Sequence, residues 1–462
     1  MADFAQKRIL KLCNGFWYLL ILLGVGLIAA VFFRWKLYAN NWVALVVYLS
    51  TPFFLIAMAV CIVKLVAPLH RVNITLLAFS VVFSAFLIEV YLDLYGHIDL
   101  RAKEASANGI HVDPRWQKTE VLEDLRKEGR QAYPTIHPSF LLRDLEANRR
   151  HSTLSVNGRE FLPLGGISGV LTVYNRESGQ WVIYKSDEYG FRNPPGVWKS
   201  EGVDLAIIGD SFGHGAGLMD GEDIASLLRA NFPTTVNLAN GGNGPLLELA
   251  TLREYCRKLK SKFVVYLYYE GNDLIGLNFE KNSPLLMSYL EDDSWSQNLY
   301  EKQKEIDSTL IDFSKREFRN YRLARLGQIF RLSNFRARIG LDLAGRQKEN
   351  KKNILTSDLA LFESILKQMN GEVRGWGGTF VVAYLPAWER YKNPDAYHAY
   401  RKDVLEILKK NEIPTVDLNP IFKKQKDVFS LFHFGLDGHY NSTGAKFVAE
   451  EVKKKLKSLW PG

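Results

Sequence analysis

The sequence predicts an α/β protein: an open parallel β-sheet with helices on both faces, preceded by three transmembrane helices and a small β-containing module. Three observations carry this. Long uncharged apolar runs are confined to the first hundred residues. Five short, strongly apolar runs recur later, spaced by helix-length amphipathic segments, which is the rhythm of buried strands alternating with covering helices. Between them lies a stretch of shorter alternation broken by turn residues.

The apolar runs come first. Gly15–Phe33 and Trp42–Val63 carry no charged side chain, and at 1.5 Å rise per residue each is long enough to cross a hydrocarbon layer of about 30 Å. Val72–Ile88 is shorter and is followed by Glu89 and Asp93, as in a helix whose last turn emerges among head groups or packs polar groups inward. A long first run followed quickly by two more is unlike a cleaved signal peptide. Pro52 within the second run is tolerated in lipid. Lys7, Arg8, Lys11, Lys64 and Arg71 on one side outnumber Arg34, Lys36, Arg101 and Lys103 on the other. That bias places the N-terminus in the cytoplasm and the C-terminal domain outside it. Residues 1–98 are therefore expected to form a multi-pass membrane domain.

Residues 99–200 read as a module containing a β-hairpin. An amphipathic stretch spans Val121–Arg130, and apolar alternation in Val170–Tyr174 and Trp181–Tyr184 is separated by the turn Asn175-Arg176-Glu177-Ser178-Gly179-Gln180. From 201 to 462 the sheet strands are expected at Val203–Gly209, Thr235–Leu238, Phe263–Tyr269, Thr379–Leu385 and Pro414–Leu418. The rhythm breaks between about 281 and 353, where a basic helical insertion carries Lys315, Arg316, Arg319, Arg322, Arg325, Arg331, Arg336 and Arg338. It reads as a solvated face, or as an amphipathic lid against anionic head groups or an acidic polymer.

Charge and cysteine content exclude little by themselves. Lys and Arg exceed Asp and Glu by 59 to 50, which suits nucleic acid, anionic lipid or an acidic glycan equally. Without a nucleic-acid motif, the membrane tether argues against nucleic acid. Of the three cysteines only Cys256 lies beyond the membrane region, so no internal disulfide staples the rest; on a predicted helix it reads as a small core residue.

The chemistry-bearing residues sit at the ends of the predicted strands. Gly209-Asp210-Ser211-Phe212-Gly213 follows the apolar run Val203–Ile208 directly, so the Ser211 hydroxyl is expected at the carboxyl end of a parallel strand, where ligands bind in open α/β folds. After the next strand comes Asn240-Gly241-Gly242-Asn243-Gly244-Pro245, and after the third Gly271-Asn272-Asp273. Their glycines and amide can approach a developing oxyanion. Asp437-Gly438-His439 supplies an imidazole with a nearby carboxylate.

In these four ordered blocks the sequence resembles the SGNH, or GDSL, hydrolase superfamily, over roughly Val203–Leu456 apart from the insertion. The resemblance implies a flavodoxin-like sheet. It also implies Ser211 as nucleophile, His439 as general base oriented by Asp437, and an oxyanion site formed by the N–H groups of Ser211 and Gly242 with the Asn272 amide. One departure stands out. The family usually has Asp three residues before the histidine, where this chain has Leu436; an extended loop would let residues 437 and 439 point the same way. Gly209–Gly213 also fits Gly-x-Ser-x-Gly of α/β-hydrolases, with the same Ser…Asp…His order, but that fold places several strands before its serine.

His214 is one helical turn from Ser211, and Trp388 with Tyr391 follows Pro386; these are candidate substrate contacts, with helix capping and loop packing as the alternatives. His433, Asp437 and His439 lack zinc-ligand spacing, so neither metal nor cofactor is expected. The expected activity is serine acyl-ester hydrolysis or O-acyl transfer on a cell-surface glycan, on the periplasmic side of a bacterial inner membrane. Expected partners are an acylated glycan or other acyl ester, membrane lipid and, for transfer, a membrane protein that delivers the acyl donor. A lipid-directed GDSL esterase and a non-catalytic glycan-binding or assembly scaffold are the alternatives.

Overall fold

The structure is a computed structural model describing residues 2–33, 42–95, 100–107, 109, 111–115, 117–146, 149–200, 202–338, 356–394 and 398–460. Arg34 and Lys36, two of the charges that set the expected orientation, and the 339–353 end of the insertion lie outside them. The chain divides into two compact units: 1–98 with 319–350, and 99–318 with 351–462.

The first unit opens with α1 (Ala2–Phe33), α2 (Trp42–Leu65) and α3 (Pro68–Tyr95). Each contains a stretch long and apolar enough to cross a membrane: Gln6–Phe33, Tyr48–Leu65 and Pro68–Asp93, with mean hydropathies of 2.5, 1.9 and 2.1. Trp17 is buried against Ala59 and Ile62, and its indole N–H donates to Thr75 Oγ1 at 2.8 Å. Gly24 lets α1 and α2 approach closely, since a Cβ there would lie 2.7 Å from Ile56 Cγ1. The helix continues through Pro52. The third helix also runs on past the uncharged run Val72–Ile88, and there Glu89 and Asp93 are buried and paired by residues of the insertion.

The second unit contains α4 (Lys118–Lys127) and a three-stranded sheet of β1 (Ala132–Pro134), β2 (Leu171–Val173) and β3 (Ile183–Lys185). The expected hairpin is β2–β3, antiparallel with Leu171 opposite Lys185. The parallel addition of β1 was not foreseen; its two apolar residues and proline are too short for a periodic signal.

The main sheet comprises β4 (Leu205–Gly209), followed by α5 (Ser211–His214), and β5 (Thr235–Asn237), followed by α6 (Pro245–Thr251). Next come β6 (Phe263–Tyr269) with α7 (Asp273–Glu280), then α8 (Gln303–Phe330) and α9 (Ser333–Arg338) of the insertion. It closes with α10 (Thr356–Gly375), β7 (Thr379–Leu385), β8 (Thr415–Asp417) and α11 (Ser442–Leu459). All its pairings are parallel, in the order β8-β7-β6-β4-β5. Numbered along the chain this is 2-1-3-4-5, the flavodoxin-like order, with its switch point beside β4. The first strand of this sheet leads straight into Ser211, unlike the α/β-hydrolase arrangement.

Both faces are covered, which is why these strands read as continuous apolar runs rather than alternating ones. Ala206, Ile208, Val264, Tyr266 and Val382 enter one core, while Leu205, Ile207, Val265, Leu267 and Val381 enter the other. Successive side chains point to opposite faces. Each buried Leu, Ile or Val contributes about 1.5–3 kcal/mol, so the strand that leads into Ser211 is held on two sides.

Candidate active site

The one-turn helix α5 begins at Ser211 directly after β4. Asp210 is its N-cap, accepting from the Phe212 N–H at 2.9 Å. The turn sits close to the chain after β5, because a Cβ on Gly213 would fall 2.6 Å from that of Ala239. Ser211 thus stands at the carboxyl edge of the sheet, half-buried.

His439 reaches it from the loop before α11. Asn441 caps that helix through the Thr443 and Gly444 N–H groups and also donates to Phe432 O at 3.0 Å. The Tyr440 hydroxyl donates to Pro386 O at 2.6 Å, and the Phe212 ring lies 4.7 Å from the imidazole. With its loop pinned on both sides, His439 places Nε2 2.7 Å from Ser211 Oγ. The sequence expectation that these two residues meet describes this geometry.

The carboxylate on the far side of the ring is Glu177, not Asp437. Glu177 Oε2 lies 2.5 Å from His439 Nδ1, and Oε1 accepts the His439 backbone N–H at 2.9 Å. Asp437 is exposed. The extended loop that would have aligned 437 with 439 is absent, because Gly438 between them takes φ +149°, a backbone conformation open to glycine and strained for other residues. Glu177 comes from the turn of the β2–β3 hairpin. That turn is held by Asn175 Oδ1, which accepts from the Gly217 N–H at 3.0 Å, and by the Arg176 guanidinium, which donates to the Asp113 and Arg115 carbonyls. In sequence these residues looked like an ordinary polar turn; the one hint was Leu436 standing where a carboxylate was expected.

With Glu177 accepting at Nδ1, the imidazole carries its proton there, and Nε2 is left to accept from the serine hydroxyl. Ser211, His439 and Glu177 therefore form one continuous relay.

The two remaining blocks lie at the same sheet edge. Gly242 adopts φ +75°, and a Cβ on it would lie 2.6 Å from Ser139 Oγ. Its loop is tied to β4 by the Asn240 N–H donating to Gly209 O at 3.0 Å, and Asn240 Oδ1 meets His137 Nδ1 at 2.8 Å. Asn272, at the N-cap position of α7, donates from Nδ2 to Asp210 Oδ2 at 3.0 Å. This anchors the amide next to Asp210, the residue before Ser211, and leaves its second hydrogen available for another acceptor.

Behind this edge lies a set of buried carboxyls. Burial pushes Asp210 above the usual carboxylate range, opposed by the Phe212 N–H and the Asn272 amide. Asp273 is raised well above it by burial and by the charge of Asp210, while its Oδ2 accepts from the Tyr266 hydroxyl at 2.6 Å. Glu280 is raised by burial to about 7, opposed by the Leu246 and Gly244 N–H groups it accepts at the start of α6.

The other candidates are engaged with neighbouring residues. His214 is buried, stacked on Tyr174 at 4.2 Å, with Nε2 2.8 Å from the Tyr184 hydroxyl. Burial drives its pKa well below the ordinary value, so the ring is held neutral between these two tyrosines. Trp388 donates to Gly435 O at 2.9 Å, with its ring 5.5 Å from Phe429, and Tyr391 donates to Asn419 Oδ1 at 3.2 Å; both tie loops together. Cys256 is buried and its thiol is pushed up by burial. Among the described residues no group of three His, Cys, Asp or Glu side chains is arranged to hold a metal.

No family model matches the sequence, and no curated protein matches it. Solved structures do. TesA is 13% identical, with 56% of this chain and 99% of that chain covered and a TM-score of 0.32. LAE5, an α/β hydrolase from the metagenome of Lake Arreo, Spain, is 14% identical over 57% and 100%, with a TM-score of 0.33. A catalytic mutant of Axe2, an acetylxylan esterase from Geobacillus stearothermophilus, is 13% identical over 55% and 94%, with a TM-score of 0.31. The chemistry of the site rests on its own geometry.

Proposed function

We propose that this chain is a membrane-anchored serine acyl-ester hydrolase or O-acyltransferase that works through an acyl-enzyme. The observation that carries the reading is the unbroken Ser211–His439–Glu177 relay at the carboxyl edge of the sheet. Ser211 Oγ attacks the ester carbonyl while its proton passes to His439 Nε2, and Glu177 stabilises the imidazolium so formed. The carbonyl oxygen, now negative, is received by the Ser211 and Gly242 N–H groups and by Asn272. Collapse returns the proton from Nε2 to the departing alcohol and leaves an acyl-serine. Water then gives hydrolysis, and a sugar hydroxyl gives transfer.

The narrower reading takes an acylated cell-surface glycan as substrate, in line with the SGNH-like blocks of the sequence. It places α1–α3 across the membrane with the sheet unit on the extracytoplasmic side, where transfer would require a membrane partner to deliver the acyl group. Fluorophosphonate labelling tests the core of the proposal: wild-type protein in detergent should be labelled and Ser211→Ala should not. Equal labelling of the two removes the catalytic assignment. Ester-linked acyl content of surface glycans, compared between deletion and complemented cells, then separates transfer from removal.

A further inference from the structure

The basic insertion divides at Phe318, and its later part belongs to the unit of apolar helices. From Arg319 to Arg338 the chain carries six arginines and no carboxylate. Within that unit the segment is fastened to the last turns of α3. Arg325 Nε and Nη2 donate to Asp93 Oδ2 at 2.9 and 2.8 Å. Glu89, buried, accepts the Asn334 and Phe335 N–H groups and the Asn334 side chain. The Phe330 ring lies 6.2 Å from that of Phe86.

These contacts set a depth. The apolar stretch Pro68–Asp93 has 26 residues, roughly 39 Å at helical rise against a hydrocarbon thickness of about 30 Å. Asp93 then falls among head groups, and Phe86, roughly 10 Å back along the axis, near the acyl boundary. Phe330 is thus held where interfacial helices bury their apolar faces.

The segment presents such a face. Leu323, Leu326 and Phe330 are 63%, 53% and 73% exposed and, spaced by three and four residues, lie within about 60° of one another around the helix. Arg325, which grips α3, points to the other side, and the exposed Arg319 and Arg322 flank the stripe.

We infer that residues 319–338 form an interfacial element that inserts Leu323, Leu326 and Phe330 into the leaflet around α3 and recognises anionic lipid head groups through its arginines. The inference rests on the reading that α3 crosses a membrane. Continuity with the lipid-facing helix and the single sign of charge favour a lipid surface over a protein.

The test uses full-length protein in which Cys13 and Cys61 are replaced by alanine. An environment-sensitive fluorophore is placed on Leu326→Cys, on Phe83→Cys in α3 or on the exposed Ser308→Cys, in phosphatidylcholine proteoliposomes with or without roughly one-third phosphatidylglycerol. Expected is a blue-shifted signal at 326, quenched by lipid-borne quenchers and strengthened by phosphatidylglycerol. Position 308 stays water-like, and the Arg319→Gln, Arg322→Gln, Arg331→Gln triple variant removes the phosphatidylglycerol effect. A lipid-like 83 with a water-like 326 overturns the inference and leaves the membrane reading standing; a water-like 83 overturns both. Insertion at 326 that ignores phosphatidylglycerol overturns the recognition of anionic lipid.

Discussion

Replacing Glu177 by glutamine separates the observed relay from the one expected along the sequence. The two carboxylate oxygens each receive one N–H of His439, the ring Nδ1–H at 2.5 Å and the backbone N–H at 2.9 Å. Glutamine offers one acceptor oxygen for these two donors, so its NH2 must face either the backbone N–H or Nδ1. Facing Nδ1, it drives the ring proton to Nε2, where it blocks proton transfer from Ser211; in either orientation the negative charge that stabilises the imidazolium is gone. The equivalent neutralisation in serine triads lowers kcat about 10^4-fold, which at 1.36 kcal/mol per tenfold is about 5.4 kcal/mol of transition-state stabilisation. The assay is hydrolysis of a p-nitrophenyl acyl ester by detergent-purified protein, alongside the fluorophosphonate labelling rate and a thermal melt to show that the fold is retained. Asp437→Asn, on an exposed side chain, should leave both rates within a few-fold of wild type. A Glu177→Gln enzyme within tenfold of wild type, or an Asp437→Asn enzyme that loses a hundredfold, would show that Glu177 is not the partner of the imidazole in catalysis.

Three further outcomes follow from the same coordinates. Asn272→Ala removes the proposed oxyanion donor and the partner of Asp210; kcat should fall about 10^2–10^3-fold with KM little changed, as steady-state kinetics will read. His137 is held by burial at about 4, below its unfolded value near 6.5. The unfolded chain therefore binds the extra proton first, and stability is lost as pH falls from about 6.5 to about 4, by at most about 3 kcal/mol. The buried Glu280, raised to about 7, acts in the opposite sense over part of that window. The His137 contribution is therefore read as the difference between the wild-type and His137→Asn unfolding curves across pH, and a pH-independent difference would contradict it. Arg390 and Glu270 form a buried ion pair, Nε to Oε1 at 2.6 Å, that also holds the Ala387 N–H. Arg390→Met should cost about 3–5 kcal/mol by stranding the carboxylate, seen as a lowered denaturant midpoint.

The sheet was legible because its strands are buried on both faces. Phe263–Tyr269 and Thr379–Leu385 appear in the sequence with the bounds they have in the fold. Thr235–Leu238 and Pro414–Leu418 are each shortened, to Thr235–Asn237 and Thr415–Asp417, where the pairing ends before the apolar pattern does. The serine and histidine blocks were legible because strand-end turns restrict residue type: a serine that starts a helix and a glycine loop leave local traces.

By itself, the sequence determined what is local or periodic: three apolar helices, a parallel sheet and the positions of Ser211 and His439 at its edges. Tertiary structure alone decided which carboxylate faces the imidazole and what Arg325 of the insertion grips. Glu177 and His439 are 262 positions apart and Arg325 and Asp93 are 232 apart. Neither pairing imposes a period, a spacing or a turn chemistry on the residues around it; each exists only because distant backbone is fixed by the packing of other elements. Local constraint leaves a mark in residue order, and long-range docking does not.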